Sequence, residues 1–320
     1  MTRYGYTLLC EQAPPDQLVT DAVRAEDSGF DFGVVSDHYY PWLVEQGHSP
    51  YAWSVLGAIA QATRQLPLMS FVTCPIRRYH PAVVAQKAAT MGLLTGGRFT
   101  LGLGAGENLN ERVAGDWPPV AQRHQMFEEA LEIIRALLDG ASLSFTGEYY
   151  EIGGAELFDL PPEGVPIAVA VSGPESCALA GEYGDAMVAV QPDPQLVEMF
   201  EETGGEGGRR FGQVAVCYGP DEQECRTVAR EQWRWGVLGW KVMSELPNPT
   251  AFAAATRHVR QDDVAEMVSC GPDLEPHVAA VQKYRDAGFT DIALVQVGGD
   301  HQAEFQQWAA DELLPALRQL

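Results

Sequence analysis

An aspartate and a histidine stand side by side just after a short apolar run. Residues 32–35 (Phe-Gly-Val-Val) predict a buried strand, and Asp37 and His38 follow one position later. Open α/β folds keep their catalytic groups on the loops at the carboxyl ends of such strands. Histidine titrates near neutral pH, so His38 is suited to act as a general base while Asp37 orients its ring or binds a ligand N–H. The alternative is a surface aspartate that caps a turn beside an incidental histidine.

Glycines alternate along a second stretch, residues 101–111. The order Gly102-x-Gly104-x-Gly106-Glu107 lacks the spacing of the dinucleotide fingerprint, which also belongs to an early strand–helix–strand unit. Glycines at the end of a strand let the backbone approach a flat ligand closely. We expect Glu107 to project into the same mouth as His38. A glycine-rich turn with a solvated glutamate is the alternative.

Two further segments are typical of contacts with an anion. Pro174 suits the first turn of a helix after the apolar run 167–171, and the N–H groups of such a turn bind phosphate. Residues 77–81 (Arg-Arg-Tyr-His-Pro) are the densest positive segment and predict a docking point for an acidic ligand tail. A plain turn and a solvated loop are the respective alternatives.

The composition restricts the partners of these groups. The 320 residues carry a formal net charge of −23, which repels nucleic acid and anionic membranes at long range. The six cysteines form no CxxC pair, and this predicts reduced, buried thiols in a cytoplasmic protein. We expect a small-molecule substrate, no signal peptide, no membrane span and no bound metal.

Apolar runs alternate with amphipathic stretches along the chain. The predicted strands are 4–9, 32–35, 68–73, 99–103, 167–171, 186–190, 214–218 and 292–297. The predicted helices are 16–28, 51–63, 82–94, 123–139, 175–183, 195–202, 222–235, 276–287 and 302–320. This alternation predicts an α/β fold, a (β/α)8 TIM barrel that forms one domain over residues 1–320.

Two stretches interrupt the alternation. Residues 142–153 predict a β-hairpin that turns at Thr146-Gly147. Residues 236–263 form a long insertion before the last repeat, and we predict that it is helical. The aromatic start of this region indicates helix packing or, as the alternative, a substrate lid; it contains Trp233, Trp235, Trp240 and Lys241.

Taken together, the motifs resemble those of the luciferase-like (LLM class) oxidoreductases that use the deazaflavin coenzyme F420. Within that family the chain is most similar to the F420-dependent glucose-6-phosphate dehydrogenases. The similarity extends along nearly the whole chain, and several motifs in the family's order are more specific than any one alone. They are residues 36–42, 78–86, 89–92, 106–111 and 147–150.

The resemblance implies a homodimer of barrels with the deazaflavin at each C-terminal mouth. His38 would take the proton of a substrate hydroxyl, Glu107 would act as the acid partner toward the cofactor, and Trp42 would shape the reacting centre. The family also implies a bulged third strand with a non-prolyl cis bond, here Phe71-Val72. The residues expected to line the cofactor are Asp37, which would contact its ring, with His38, Phe71, Val72, Cys74, Ala105, Gly106, Glu107, Asn110, Val171, Ser172 and Gly173.

The residues of this chain differ from those of the sugar-phosphate enzymes at the positions where those enzymes bind the phosphate. The family places a Thr and a Lys after the sixth strand, a Lys before the last repeat and an Arg after the eighth strand. Each lost charge-assisted contact to an oxyanion costs roughly 1.5–3 kcal/mol, and a carboxylate in its place repels the oxyanion. We therefore do not expect glucose 6-phosphate as the substrate. The matching positions are Val190, Asp193, Glu266 and Ala303 or Glu304, and the expected substrate contacts are Trp42, Val190, Asp193 and Glu266.

We predict an F420-dependent oxidoreductase that transfers a hydride between the deazaflavin and an alcohol or the matching carbonyl. A sugar-phosphate dehydrogenase is an alternative that needs a relocated anion site, for which Lys241, Arg257 and Arg260 are candidates. A reductase of C=C or C=N bonds, an FMN-dependent monooxygenase and a non-catalytic cofactor carrier are further alternatives.

Overall fold

Eight parallel strands close into a barrel in the computed structural model, which describes residues 2–320. The strands of this range are β1 (Arg3–Leu8), β2 (Phe32–Val35), β3 (Leu68–Ser70), β4 (Phe99–Leu103), β5 (Leu143–Thr146), β6 (Glu151–Ala155), β7 (Ile167–Ala170), β8 (Ala186–Ala189), β9 (Arg209–Cys217), β10 (Ser269–Cys270) and β11 (Asp291–Gln296). The barrel runs β1-β2-β3-β4-β7-β8-β9-β11 and closes where β11 pairs with β1. The predicted (β/α)8 fold is confirmed.

Helices surround the barrel and connect its strands. They are α1 (Pro15–Asp27), α2 (Ala52–Ala62), α3 (Pro81–Leu94), α4 (Asn108–Glu111), α5 (Val120–Leu138), α6 (Pro174–Tyr183), α7 (Pro194–Phe200), α8 (Glu222–Trp233), α9 (Trp240–Met243), α10 (Pro249–Ala255), α11 (Gln261–Ala265), α12 (Leu274–Asp286), α13 (Gln302–Trp308) and α14 (Leu314–Leu317). None of them is both long and apolar enough to cross a membrane.

The long helix α5 shows how the sequence encodes these elements. Its apolar residues recur at helical spacing, and Phe127, Ile133 and Ile134 on that stripe are buried. The helix ends before Gly140, which has φ of 85°. The N–H of the next residue, Ala141, donates to the carbonyl of Ala136, so a left-handed glycine closes the helix as its sequence predicts.

Three apolar clusters stabilise the barrel. The largest lies between the strands and the outer helices. A second fills the barrel interior with Phe32, Val34, Met69, Ala168 and Phe211 among its residues. The third lies beneath the insertion and joins it to the loop after β2. The insertion is therefore packed onto the mouth of the barrel.

The strand boundaries differ from the prediction by more than one residue in two strands, β3 and β9. β3 ends at Ser70 rather than Thr73, and the Phe71-Val72 bond that follows it is cis, as the resemblance implied. β9 begins at Arg209 rather than Val214, and its polar first residues do not read as a strand. The short strand β10, which extends the sheet beside the end of β9, was not predicted.

Both interruptions of the barrel take their predicted form. β5 and β6 pair as an antiparallel hairpin. The insertion is helical and contains α9, α10 and α11. The predicted final helix 302–320 divides into α13 and α14, joined by a wider helical turn over residues 309–313.

Candidate active site

His38 lies between two carboxylates at the carboxyl end of β2. Its Nδ1 forms an ion pair with Glu11, on the loop after β1, and its Nε2 lies 3.9 Å from Glu107 Oε1. Glu11 is fully buried, and its second oxygen accepts a hydrogen bond from Ser36 Oγ at 2.6 Å. The imidazole is therefore held by one carboxylate and faces another. Glu11 was not predicted from the sequence; its position directly after a strand is the signal that would have identified it.

The charges around His38 decide its protonation. Burial by itself lowers the pKa of His38, but the charge of Glu11, the hydrogen bond to it and the charge of Glu107 together raise that pKa above its usual value. Burial opposes ionisation of Glu11, and the charge of His38 nevertheless lowers the pKa of Glu11. The pair is thus favoured as imidazolium and carboxylate.

The carboxylate of Asp37 is occupied by contacts within the protein. Asp37 is buried, and its neighbours supply four donor groups: Trp53 Nε1 at 3.1 Å, Thr73 Oγ1 at 2.7 Å, Tyr79 OH at 3.1 Å and Arg78 Nη1 at 3.1 Å. These contacts fix the start of the loop that carries His38. The contact of Asp37 with a deazaflavin ring stays a prediction.

Arg78 does not supply the free positive charge that the sequence suggested. Its guanidinium lies between two buried carboxylates, 3.1 Å from Asp37 Oδ1 and 3.2 Å from Glu111 Oε1. Burial raises the pKa of Glu111 to about 7, although Arg78 opposes this shift. Arg78 is therefore paired within the protein, while Arg77 and His80 are the exposed residues of the segment. Docking of an acidic ligand tail on residues 77–81 stays a prediction.

Asn110 joins the loop of His38 to the loop of Glu107. Its Nδ2 donates to Glu107 Oε1, and its Oδ1 accepts from the N–H groups of Tyr39 at 2.7 Å and Tyr40 at 2.9 Å. Asn110 is fully buried. The two loops thus form one unit at the mouth.

Small apolar residues form a floor beneath these polar groups. A Cβ on Gly104 would lie 2.9 Å from Val72 Cγ2 and 3.3 Å from Ala170 Cβ, so the three residues close the upper end of the barrel together. Gly106 has φ of +74°, and a Cβ there would lie 2.4 Å from Cys74 Sγ. No side chain can be added at either glycine, so the backbone itself lines this end of the barrel. The close approach of a flat ligand to these glycines stays a prediction.

The turn before α6 is less open to an anion than its sequence suggests. The N–H groups of Ser172 and Gly173 donate to Ser176 Oγ at 2.9 and 3.3 Å. A Cβ on Gly173 would meet no atom within 4 Å, so the backbone borders open space. Contact of this turn with a cofactor phosphate stays a prediction.

Trp42 connects His38 to the insertion. The edge of its ring meets His38 at a centroid distance of 5.0 Å, and its face stacks on Trp235 at 4.4 Å with an interplanar angle of 11°. Phe252 packs against Trp42 at 5.2 Å. The helix-packing interpretation of the aromatic segment is therefore confirmed for Trp235. Trp235 and Phe252 were not predicted as part of the site, although the density of aromatic residues indicated such packing.

The other expected substrate contacts have no described contact with His38 or Glu107. Val190 is exposed, and its carbonyl accepts from Tyr284 OH at 2.8 Å. Asp193 caps α7 by accepting from the N–H of Gln195 at 3.0 Å. Glu266 is exposed at the end of α11. Their roles in substrate binding stay predictions.

A closed parallel barrel with a paired histidine at the carboxyl ends of its strands defines a (β/α)8 protein with a candidate active site at that face. The family model for luciferase-like monooxygenases matches residues 2–291, and the chain belongs to this family.

Its relatives and structural neighbours cover nearly the whole chain. It is 36% identical to the F420-dependent glucose-6-phosphate dehydrogenase of Beutenbergia cavernae, over 99% of this chain and 98% of that protein. It is 36% identical to the F420-dependent hydroxymycolic acid dehydrogenase of Mycobacterium tuberculosis, over 89% of this chain and 80% of that protein. The structure of an F420-dependent secondary alcohol dehydrogenase in complex with an F420-acetone adduct superposes with a TM-score of 0.91, at 30% identity over 99% of both chains.

Proposed function

We propose that this protein is an F420-dependent oxidoreductase that transfers a hydride between the deazaflavin and an alcohol carbon, or the matching carbonyl carbon. The observation that carries the proposal is His38, paired with buried Glu11 and facing Glu107 at the mouth of the barrel. The relatives named for F420-dependent dehydrogenation support the cofactor and the reaction type. Phe71–Cys74, Ala105–Glu107 and Val171–Gly173 are the segments that would hold the cofactor.

The residues of the chain handle the proton of this reaction. The bound deazaflavin would accept or return the hydride. In the oxidative direction, neutral His38 accepts the hydroxyl proton at Nε2, and Glu11 at Nδ1 stabilises the imidazolium that forms. Glu107 faces the same nitrogen at 3.9 Å and adds to that stabilisation. In the reductive direction, protonated His38 donates to the developing alkoxide.

The surroundings disfavour a phosphorylated substrate. Of the positions that match the phosphate contacts of the sugar-phosphate enzymes, Asp193 and Glu266 carry carboxylates and Val190 is apolar. A carboxylate repels an oxyanion where the sugar-phosphate enzymes supply a cation. Arg260, one candidate for a relocated anion site, forms an ion pair with Asp263. An uncharged or cationic alcohol is therefore the substrate class that fits.

A second candidate is a reductase of a polarised C=C or C=N bond. The raised pKa of His38 favours it, because a raised pKa widens the pH range over which the imidazole is protonated and can donate a proton. Such a reductase would use the same pair of His38 and Glu11, so substrates rather than residues distinguish it from a dehydrogenase.

Binding and turnover test the proposal together. The purified protein is titrated with F420, FMN and NADP while its tryptophan fluorescence is followed, and turnover is assayed with propan-2-ol, glucose 6-phosphate and, in reverse, acetone. We expect F420 alone to bind at micromolar concentration, and propan-2-ol rather than glucose 6-phosphate to be oxidised. Binding of FMN in place of F420 would contradict the assignment of F420 as the cofactor.

The variant His38→Ala tests the mechanism. It should lower kcat on the order of 10²–10⁴-fold and leave the affinity for F420 nearly intact. His124→Ala is the matched control, because His124 is also paired with a glutamate, Glu175, but has no described contact with His38, Glu11 or Glu107. Wild-type turnover of His38→Ala would remove His38 from the reaction.

A further inference from the structure

The insertion contacts both loops that carry the proposed proton-transfer groups. Residues 234–245, here called the strap, begin on the loop of His38, where Arg234 Nη2 lies 2.7 Å from Glu45 Oε1. The other end of the strap contacts α4, the short helix that begins directly after Glu107. There the N–H of Asn108 donates to the Ser244 carbonyl at 2.9 Å, and Asn108 Nδ2 donates to the Glu245 carbonyl at 2.8 Å. The strap therefore connects the two sides of the mouth.

The carboxylate of Glu245 anchors the end of the strap to α5. Its oxygens lie 2.9 Å from Arg123 Nη2 and 3.2 Å from Trp117 Nε1. Arg123 is only 4% exposed, and its guanidinium lies over the Trp117 ring at 4.2 Å. A buried guanidinium needs an anionic partner, so this contact is specific rather than incidental.

We propose that Glu245 is a positioning residue for Glu107. Glu245 holds the strap on α5, the strap holds the backbone and side chain of Asn108, and Asn108 is the chain neighbour of Glu107. Release of this anchor would free Glu107 from its place 3.9 Å from His38 Nε2. The inference rests on the role proposed for Glu107 in the reaction.

An exposed ion pair elsewhere on the insertion provides a matched control. Arg226 of α8 lies 3.5 Å from Asp262 of α11, whose side chain is 80% exposed. This pair also ties the insertion to the barrel, but it has no described contact with α4 or with the loop of His38. Removing this ion pair therefore measures how a general weakening of the insertion affects exchange and turnover.

The experiment compares Glu245→Gln, Glu245→Asp and Asp262→Asn in the full-length protein. Hydrogen exchange followed by mass spectrometry measures the amides of residues 107–111 and 234–245, and steady-state assays use F420 with propan-2-ol. We expect Glu245→Gln to speed exchange in both segments and to lower kcat about 10-fold, with the F420 dissociation constant and KM changed less than about 2-fold. Glu245→Asp retains a carboxylate and should restore part of kcat. Asp262→Asn should change neither the exchange of these two segments nor kcat.

Two results would overturn the proposal. One is unchanged exchange at residues 107–111 in Glu245→Gln, and the other is unchanged kcat despite faster exchange. If the wild-type protein oxidises no alcohol with F420, the proposed function fails, and with it the role of Glu245 in positioning Glu107 for that reaction. The exchange data would then still decide whether the anchor holds α4.

Discussion

At the scale of single residues, the ion pair of His38 and Glu11 controls the chemistry of the mouth. Glu11 is buried, so its charge is not screened by water and acts strongly on the imidazole. The same pair affects folding. Because the folded pKa of His38 is raised, its contribution to stability is complete below about pH 6.5 and is lost as the pH rises through the folded pKa.

The variant Glu11→Gln tests this pair. It removes the charge that raises the pKa of His38, so that pKa should fall. Alcohol oxidation requires neutral His38, and its rate should therefore rise with pH through the raised pKa in the wild type and at lower pH in the variant. The measurement is kcat/KM against pH. Glu175→Gln, which removes the partner of His124, is the control. If kcat/KM of Glu11→Gln rises with pH over the same range as that of the wild type, Glu11 does not set the pKa of His38.

At the scale of elements, Arg78 holds the loop after β2 against α4. It contacts the carboxylates of Asp37 and Glu111 from the segment that follows β3, so three segments at the mouth share one cation whose side chain is only 10% exposed. If Arg78 is removed, the buried carboxylates lose their cation. An unpaired buried charge destabilises the folded state by more than the ion pair stabilised it.

Arg78→Met should lower the free energy of unfolding by about 3–5 kcal/mol, measured by urea denaturation. Arg77→Met is the matched control, because the neighbouring Arg77 is exposed and its loss should change stability by less than about 0.5 kcal/mol. Equal effects of the two substitutions would show that the buried network contributes little.

At the scale of the whole molecule, the net charge of −23 dominates the electrostatics. Like charges repel within the compact state, and dissolved salt screens this repulsion beyond a Debye length of about 10 Å at 0.1 M. We expect Tm to rise by a few degrees between 10 mM and 500 mM NaCl, with KCl giving the same result. A Tm that falls with both salts would mean that ion pairs such as that of Arg78 outweigh the repulsion.

The homodimer implied by the resemblance stays a prediction, as does the cytoplasmic location. Two copies that each carry −23 repel one another, so association should strengthen as salt is added. Sedimentation velocity at low and high NaCl measures this directly. A monomer at every salt concentration would contradict the dimer.

The sequence by itself determined the barrel and the end of the barrel that carries the site. Apolar runs and amphipathic stretches alternate, and the carboxyl ends of parallel strands meet at one face, so His38 and Glu107 were predicted to lie near each other. The hairpin at β5 and β6 and the helical insertion were also predicted, because turns and helical periodicity are local properties of the chain.

Only the tertiary structure decided which partners these groups have. Glu11 pairs with His38 from the loop after another strand, Arg78 is paired rather than free, and Asn108 meets Glu245 from 137 positions away. Burial and pairing depend on how distant segments pack, and the charge of a residue type does not reveal them. The sequence therefore predicts where the catalytic groups lie, and the packing of the folded chain decides which charges surround them.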